Sequence, residues 1–280
     1  MSAMLGLIAS GGPFPLQVAE AARAGGRKVF VVCLRDFCDP VAFAGFPHMV
    51  ERVGACGAIL NRLRAEGVSQ LALAGKAKRP SLLGLWPDAW TARMIARIGP
   101  AALGGDDTFL RALIRLLAEE GFEVIPPQSL IADAMASPGL LAGASPDEMA
   151  RADIKRGIAV LRALAAQDVG QAVVVQQGLV LGIEAVEGTD ALIERCGLLR
   201  RDGPGGVLVK LAKSGQEMRV DAPVVGPITI AAATQAGLRG IAIQAGQTIL
   251  AERAESLRAA EAAGIFLLGL DASDIKGDQP

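Results

Sequence analysis

In the first half of the chain, short apolar runs that end at glycine alternate with amphipathic segments of helical period, and no other feature constrains the fold as tightly. LGLIAS (Leu5–Ser10) closes at Gly11-Gly12, Phe14–Ala24 reads as a helix ended by Gly25-Gly26, and KVFVVCL (Lys28–Leu34) is a second apolar strand. Gly57–Glu66 reads as a helix that stops at Gly67, and QLALAG (Gln70–Gly75) as the next strand. Asp106-Asp107 opens a strongly amphipathic helix, with an aspartate as its N-cap and Gly121 at its C-terminal end. FEVI (Phe122–Ile125) follows, and Pro126-Pro127 stops it. Strand–helix alternation of this kind predicts a parallel sheet with helices on both faces.

The 280 residues are about twice a ~150-residue domain, so a second domain is expected. Its boundary is read near residue 130, at the proline pair and ahead of the loop-like ASPGLLAGASP (Ala136–Pro146). A long helix (Asp147–Gln167) then leads into QAVVVQQ and LVLGIEA, which resemble a hairpin around Gly178. Further helices are expected near Thr189-Asp190, over Thr229–Ala236 and over Glu252–Ala263; VLVKLA, GIAIQA, QTILA and GIFLLGL read as strands, and the tail SDIKGDQP as frayed. The expected fold class is α/β: an N-terminal Rossmann-like parallel-sheet domain (1–130) for a nucleotide, and a C-terminal mixed α/β domain (131–280) for catalysis and lipid binding.

Composition removes several chemistries. One histidine (His48) excludes paired-His zinc sites and sharply limits Ser-His-Asp or Cys-His catalysis. Four scattered cysteines form no C-x-x-C pair, and Cys33 lies inside an apolar run, which suits a reducing, cytosolic compartment. A net charge of −1 lacks the footprint of a nucleic-acid binder. The N-terminus has no basic region ahead of its apolar run, against a secretory signal, and no stretch of about 18 uninterrupted apolar residues predicts a membrane span. An active site here is expected to be made from carboxylates, Lys and Arg, amides and backbone N–H groups.

Five groups could carry such chemistry. Gly11-Gly12 stands at a strand-to-helix turn, where backbone N–H groups suit phosphate, although a tight turn in an open sheet has the same look. Gly75-Lys76-Ala77-Lys78-Arg79-Pro80 follows another strand and could neutralise a diphosphate, or be a solvated basic loop. Asp107 suits an N-cap, and Asp106 stays open as a ribose or metal contact. In EAVEGTD, Glu184, Glu187 and Asp190 flank a glycine turn with Thr189, an oxygen set suited to Mg²⁺ or, equally, to a solvated strand end with a helix cap. Lys210, Lys213, Gln216, Arg219 and Asp221 place one carboxylate among cations, which could bind a metal or activate water; surface lysines and a turn aspartate are the plain alternative.

Taken together, LGLIASGGPFP, LAGKAKRP, GGDDTFLR, DVGQAVVVQQGLVLGIEAVEGTDALIERC, VLVKLAKSGQEMRVDAPVVG and GIFLLGLD resemble the LpxI family, the UDP-2,3-diacylglucosamine pyrophosphatases of lipid A biosynthesis. EGTD and K-x-x-K…Q-x-x-R-V-D-x-P are the most specific parts. The resemblance implies hydrolysis of UDP-2,3-diacylglucosamine to UMP and 2,3-diacylglucosamine 1-phosphate (lipid X), with Mg²⁺, or Mn²⁺ or Co²⁺, as cofactor. It implies two domains that open and close around the substrate, a homodimer, and peripheral contact with the cytoplasmic face of the inner membrane. It puts the catalytic aspartate at Asp221, in V-D-x-P, with Glu184, Glu187 and Asp190 as further metal candidates. The substrate contacts it suggests are Gly11, Gly12, Gly75, Lys76, Arg79, Asp106, Gln171, Gly188, Thr189, Lys210, Lys213 and Gln216. The chain departs from the family pattern at Ser10, where glycine is frequent, at Ala222, where leucine is frequent, and at Ile228, which cannot supply the carboxylate that some members have. A non-catalytic UDP-sugar-binding regulator is the alternative; an NAD(P) oxidoreductase is disfavoured by the missing G-x-G-x-x-G.

Overall fold

The computed structural model describes residues 4–76, 85–99, 106–167, 169–213 and 215–276, without the side chains of residues 106, 107, 166 and 276. The chain divides into two compact units, Met1–Ala132 with Glu217–Asp221, and Asp133–Gln216 with Ala222–Pro280.

The first unit contains β1 (Met4–Ala9), α1 (Phe14–Ala24), β2 (Val29–Leu34), β3 (His48–Glu51), α2 (Cys56–Ala65), β4 (Val68–Ala74), α3 (Ala89–Ile98), α4 (Asp106–Glu119) and β5 (Glu123–Val124). Its sheet has the order β3-β2-β1-β4-β5 with every pair parallel. Parallel strands covered on both faces need continuous apolar sequence, which is why VFVVCL can serve as β2 with its first five residues buried. Gly6 lets β1 pack tightly: a Cβ there would stand 2.6 Å from Leu71 Cδ2. The aliphatic faces of α2 and α4 close over Phe30, Val32 and Leu71. Two elements are not foreseen from sequence. One is the edge strand β3, whose HMVE alternates exposed and half-buried; the other is α3, capped by Asp88 Oδ1 accepting from Thr91 N at 2.8 Å. His48 sits exposed on β3, its Nδ1 2.9 Å from the Phe46 carbonyl.

The second unit contains β6 (Gly139–Ala142), α5 (Glu148–Leu164), β7 (Ala172–Gln176), β8 (Leu179–Ile183), α6 (Thr189–Gly197), β9 (Val207–Lys210), β10 (Val224–Val225), α7 (Pro227–Gln235), β11 (Gly240–Gln244), β12 (Ile249–Leu250), α8 (Arg253–Ala263), β13 (Phe266–Leu270) and α9 (Ala272–Lys276). Its main sheet runs β6-β13-β11-β9-β7-β8 and is mixed: β9, β11 and β13 are parallel, while β6, β7 and β8 pair antiparallel. The expected hairpin is β7–β8. Its turn places Gln177 and Gly178 at positive φ, and both their N–H groups donate to the buried Asp153 carboxylate, at 3.0 and 2.6 Å. Two expectations differ: part of the loop-like 136–146 stretch is the edge strand β6, and the tail carries the short helix α9. The expected strand QTILA contributes β12, which pairs with β10 in a separate two-stranded sheet.

Helix α5 lies on one face of this sheet and α6, α7 and α8 pack on the other. Asp147 caps α5 by accepting from Ala150 N at 2.8 Å. Gly157 allows the close approach of α5, since a Cβ there would lie 2.6 Å from Val209 Cγ2. Gly157→Val is expected to lower the stability of the second unit by about 1–3 kcal/mol through overpacking, read from the urea unfolding midpoint.

Candidate functional site

In the first unit the chain moves outward from β1 through β2 to β3, then crosses back to β4 on the other side of β1. Strand order therefore reverses between β1 and β4, and open α/β sheets bind ligands in the crevice beyond the carboxyl ends of the strands at such a point. The two glycine loops singled out from sequence leave these two strands. They are tied together: Gly11 N donates to Lys76 O at 2.9 Å, Lys76 N donates to Gly11 O at 2.7 Å, and the Ser10 hydroxyl donates to Ala74 O at 3.0 Å. Gly75, at φ +104°, has no room for a side chain, because a Cβ would stand 2.7 Å from both Gly11 O and Ser10 Oγ. Gly12 differs: its φ of +90° demands glycine, yet a Cβ would meet nothing within 4 Å. Among the described residues, nothing covers the backbone at Gly12 just ahead of α1, whose N-terminal end carries no side-chain cap. Arg79 and the Asp106 side chain lie outside the described residues.

Residues 217–221 come from far along the chain and pack with this unit. Gln128 stands in the turn that follows β5, at the carboxyl end of the sheet, and its Nε2 donates to Met218 O at 2.9 Å. Val220 packs against the core cluster of the unit. Glu217 and Arg219 form a two-pronged ion pair, with Nε–Oε1 and Nη2–Oε2 both 2.7 Å. Val220 N and Asp221 N both donate to Glu217 O, at 3.1 and 3.0 Å, so the segment is one closed turn with Asp221 at its end. Asp221 is half-buried. The two-halves reading of the sequence assigns this segment to the C-terminal domain.

The second unit gathers most of the remaining candidates into a single polar network. Glu184 is buried, and its two oxygens accept from Gln171 N at 2.9 Å and the Thr189 hydroxyl at 2.7 Å. Lys210 is also buried; its Nζ donates to Thr189 Oγ1 at 2.8 Å and to Val224 O at 3.1 Å. Gln216, buried too, accepts from Lys213 N at 2.9 Å and donates to Gln171 Oε1 at 3.3 Å. Gly188 turns the chain at φ +83° into α6, which has no side-chain cap. Thr189 therefore bridges an acid and a base that burial would otherwise leave exposed to a large desolvation cost.

The acids of EAVEGTD do not converge on one point. Glu184 faces inward as described, Glu187 is paired with Arg195 at 2.9 Å, and Asp190 accepts from the Thr229 hydroxyl at 3.2 Å. Among the described residues no group of three or more His, Cys, Asp and Glu side chains could hold a metal ion. Burial raises all four cysteine thiols, Cys33 to about 12, so none offers a thiolate at neutral pH. Gln128, which sequence reasoning missed, carries no motif signal: an amide after a proline pair reads as ordinary loop.

Residues 4–134 match the family model described as the LpxI N-terminal domain, and residues 137–268 the LpxI C-terminal domain. The chain is 38% identical over 273 residues to a protein of Caulobacter vibrioides described as UDP-2,3-diacylglucosamine pyrophosphatase LpxI, covering 95% of this chain and 97% of that one. Two solved structures are much more distant. One, described as CobK precorrin-6A reductase, has a TM-score of 0.32 and 14% identity over 97% of this chain and 88% of that one. The other, an N5-carboxyaminoimidazole synthase of Aspergillus clavatus, has a TM-score of 0.24 and 16% identity over 72% of this chain and 44% of that one.

Two predictions follow from the geometry. Lys210→Met leaves Glu184 buried without the cation bridged to it through Thr189 and is expected to destabilise the protein by about 3–5 kcal/mol, as for other broken buried pairs. Glu184→Gln added to it should recover a large part of that loss in a double-mutant cycle of unfolding free energies. Arg219, as hydrogen-bond partner, holds the Glu217 carboxyl below its ordinary range. A lowered carboxyl contributes stability above its unfolded value and loses it as pH falls through the folded value. Hydrogen exchange at Val220 and Asp221, corrected for intrinsic rate, should therefore accelerate only in acid, and Glu217→Gln should remove that dependence.

Proposed function

The chain belongs to the LpxI family, and on that premise we propose that it is the hydrolase that cleaves the pyrophosphate bond of UDP-2,3-diacylglucosamine, releasing UMP and 2,3-diacylglucosamine 1-phosphate for lipid A synthesis. The structural observation that supports this most is the docking of the 217–221 turn at the carboxyl end of the first sheet, the end from which the Gly11-Gly12 and Gly75-Lys76 loops also leave. A carboxylate delivered to a phosphate-binding sheet edge is what hydrolysis of a phosphoanhydride needs when no histidine or thiolate is at hand.

In this reading the uridine nucleotide lies over Gly11-Gly12, with the Gly12 backbone, the start of α1 and Lys76 taking the phosphates. Asp221 orients the attacking water, or would hold a divalent cation at the diphosphate. Phosphoryl transfer asks mainly for positioning and charge neutralisation, so a single well-held carboxylate suffices as the reacting group. Asp221 also fits a divalent cation such as Mg²⁺, Mn²⁺ or Co²⁺: it is a hard oxygen donor, partly exposed, and Mg²⁺ is commonly held by one or two carboxylates plus phosphate oxygens. When bound, the cation would neutralise charge on the diphosphate. Glu184, Glu187 and Asp190 suit a structural part better, because each is turned to a protein partner.

In the second unit, Gly188 and the uncapped start of α6 offer backbone N–H groups suited to an anion, and Lys213 would add positive charge. Lys210, Thr189, Gln171 and Gln216 would keep that surface in shape from below. An open, largely apolar groove of about 610 Å³ between α4 and β5, bordered by Ile114, Phe122, Val124 and Arg219, suits an acyl chain. No helix of the described residues is long and apolar enough to cross a membrane. Contact with an amphiphilic substrate at a bilayer surface is thus proposed as peripheral, and homodimer formation remains part of the proposal.

Asp221→Asn is expected to keep the fold and to abolish divalent-cation-dependent release of UMP from UDP-2,3-diacylglucosamine, a loss on the order of 10³-fold in kcat by analogy with other single catalytic groups. Near-normal turnover would remove Asp221 from the reaction. Tight binding of the UDP-sugar by the unaltered protein, without turnover at any cation concentration, would point to the non-catalytic alternative.

A further inference from the structure

We propose that Gln128 is a positioning residue for Asp221: its side-chain amide holds the Met218 carbonyl and so fixes where the turn presents the Asp221 carboxylate. The inference rests on the reading of Asp221 as the reacting carboxylate. Five residues are too short to anchor themselves by burial, and the Glu217–Arg219 ion pair lies wholly within the segment, so it shapes the turn without fastening it. Attachment to the sheet comes from outside the turn. Val220 contributes packing, Arg111 of α4 attracts Glu217, and Gln128 supplies a directional bond to the backbone at Met218. Gln128 is itself well placed for this, because Ile125 N donates to Leu71 O at 2.8 Å and ties the following turn to β4. Since Val220 N and Asp221 N close onto the Glu217 carbonyl, a shift at Met218 moves Asp221 with it.

The state of the Gln128 amide argues against simple space filling. Its Oε1 is buried and accepts no hydrogen bond among the described residues. A leucine or methionine of similar size would fill the same volume without leaving an acceptor unsatisfied, and buried polar groups without partners call for a reason. The donor at Nε2 is that reason: no apolar side chain can hold a carbonyl in a set direction.

The experiment compares Gln128→Glu, which keeps the shape but turns an acceptor toward the Met218 carbonyl, with Gln128→Ala and with Asp221→Asn. Steady-state kinetics use UDP-2,3-diacylglucosamine and saturating Mg²⁺. Misplacing a reacting group by a fraction of an ångström should lower kcat about tenfold or more in both Gln128 variants, while KM stays within about twofold. Hydrogen exchange should accelerate in residues 215–223 and remain unchanged elsewhere in the first unit. Should either Gln128 variant fail to fold, Glu217→Gln loosens the same turn from its own side, and the same split between kcat and KM is expected. An inactive Asp221→Asn beside Gln128 variants of full kcat would overturn the positioning role and leave the hydrolase reading standing. So would exchange that accelerates throughout the unit, or a KM that rises as far as kcat falls. An active Asp221→Asn would instead overturn the reading on which the inference rests.

Discussion

The pairing of β1 with β4 is the constraint on which the rest of the first unit depends. Had the sheet continued outward from β3, the loops after β1 and β4 would lie at distant strands, and neither glycine pair would have a counterpart. With β4 beside β1, the two loops meet, and they satisfy each other's backbone through the two-way Gly11–Lys76 bridge. The same reversal leaves a crevice above the strand ends, because the sheet order changes direction between β1 and β4. Gly12 and Gly75 serve this arrangement in different ways. One supplies a conformation and the other supplies clearance between two backbones.

Into that edge the protein brings a segment from nearly a hundred residues beyond β5. The chain leaves the second unit after Gln216, forms one turn that ends at Asp221, and returns at Ala222. On the second-unit side both roots are secured by the same buried network: Gln216 bonds to Gln171, and Lys210 bonds to the Val224 carbonyl shortly after the return. Lysine and glutamate buried this far are costly unless their hydrogen bonds are complete. The Thr189 hydroxyl completes them by donating to Glu184 while accepting from Lys210. Lys210 of the K-x-x-K segment and Glu187 and Asp190 of EGTD thus each have a partner within the protein.

Much of the fold was legible because parallel strands buried on both faces leave an unmistakable apolar trace. The runs at β1, β2, β4 and β11 are legible for that reason. The edge strands and Gln128 escape for one physical reason: they lie at an edge or are held by polar contacts. HMVE in β3 faces solvent with alternate residues, GLLA in β6 is half exposed, and Gln128 carries no periodicity at all. Spacing could nominate Glu184, Glu187 and Asp190 as neighbours in sequence. It could not tell that their side chains turn to Thr189, Arg195 and Thr229, because side-chain direction depends on partners far along the chain.

By itself, the sequence determined the fold class, the glycine loops and the exclusion of paired-histidine metal sites, since each follows from residue type and local pattern. It also carried the family motifs that single out Asp221. Only the tertiary structure decided that the Gly11 and Gly75 loops share one bridge, that Lys210 and Glu184 are interior, and that Asp221 belongs with the first unit. These are long-range facts, set by which strands pair and by which buried polar groups must find partners, and no local window of sequence contains them.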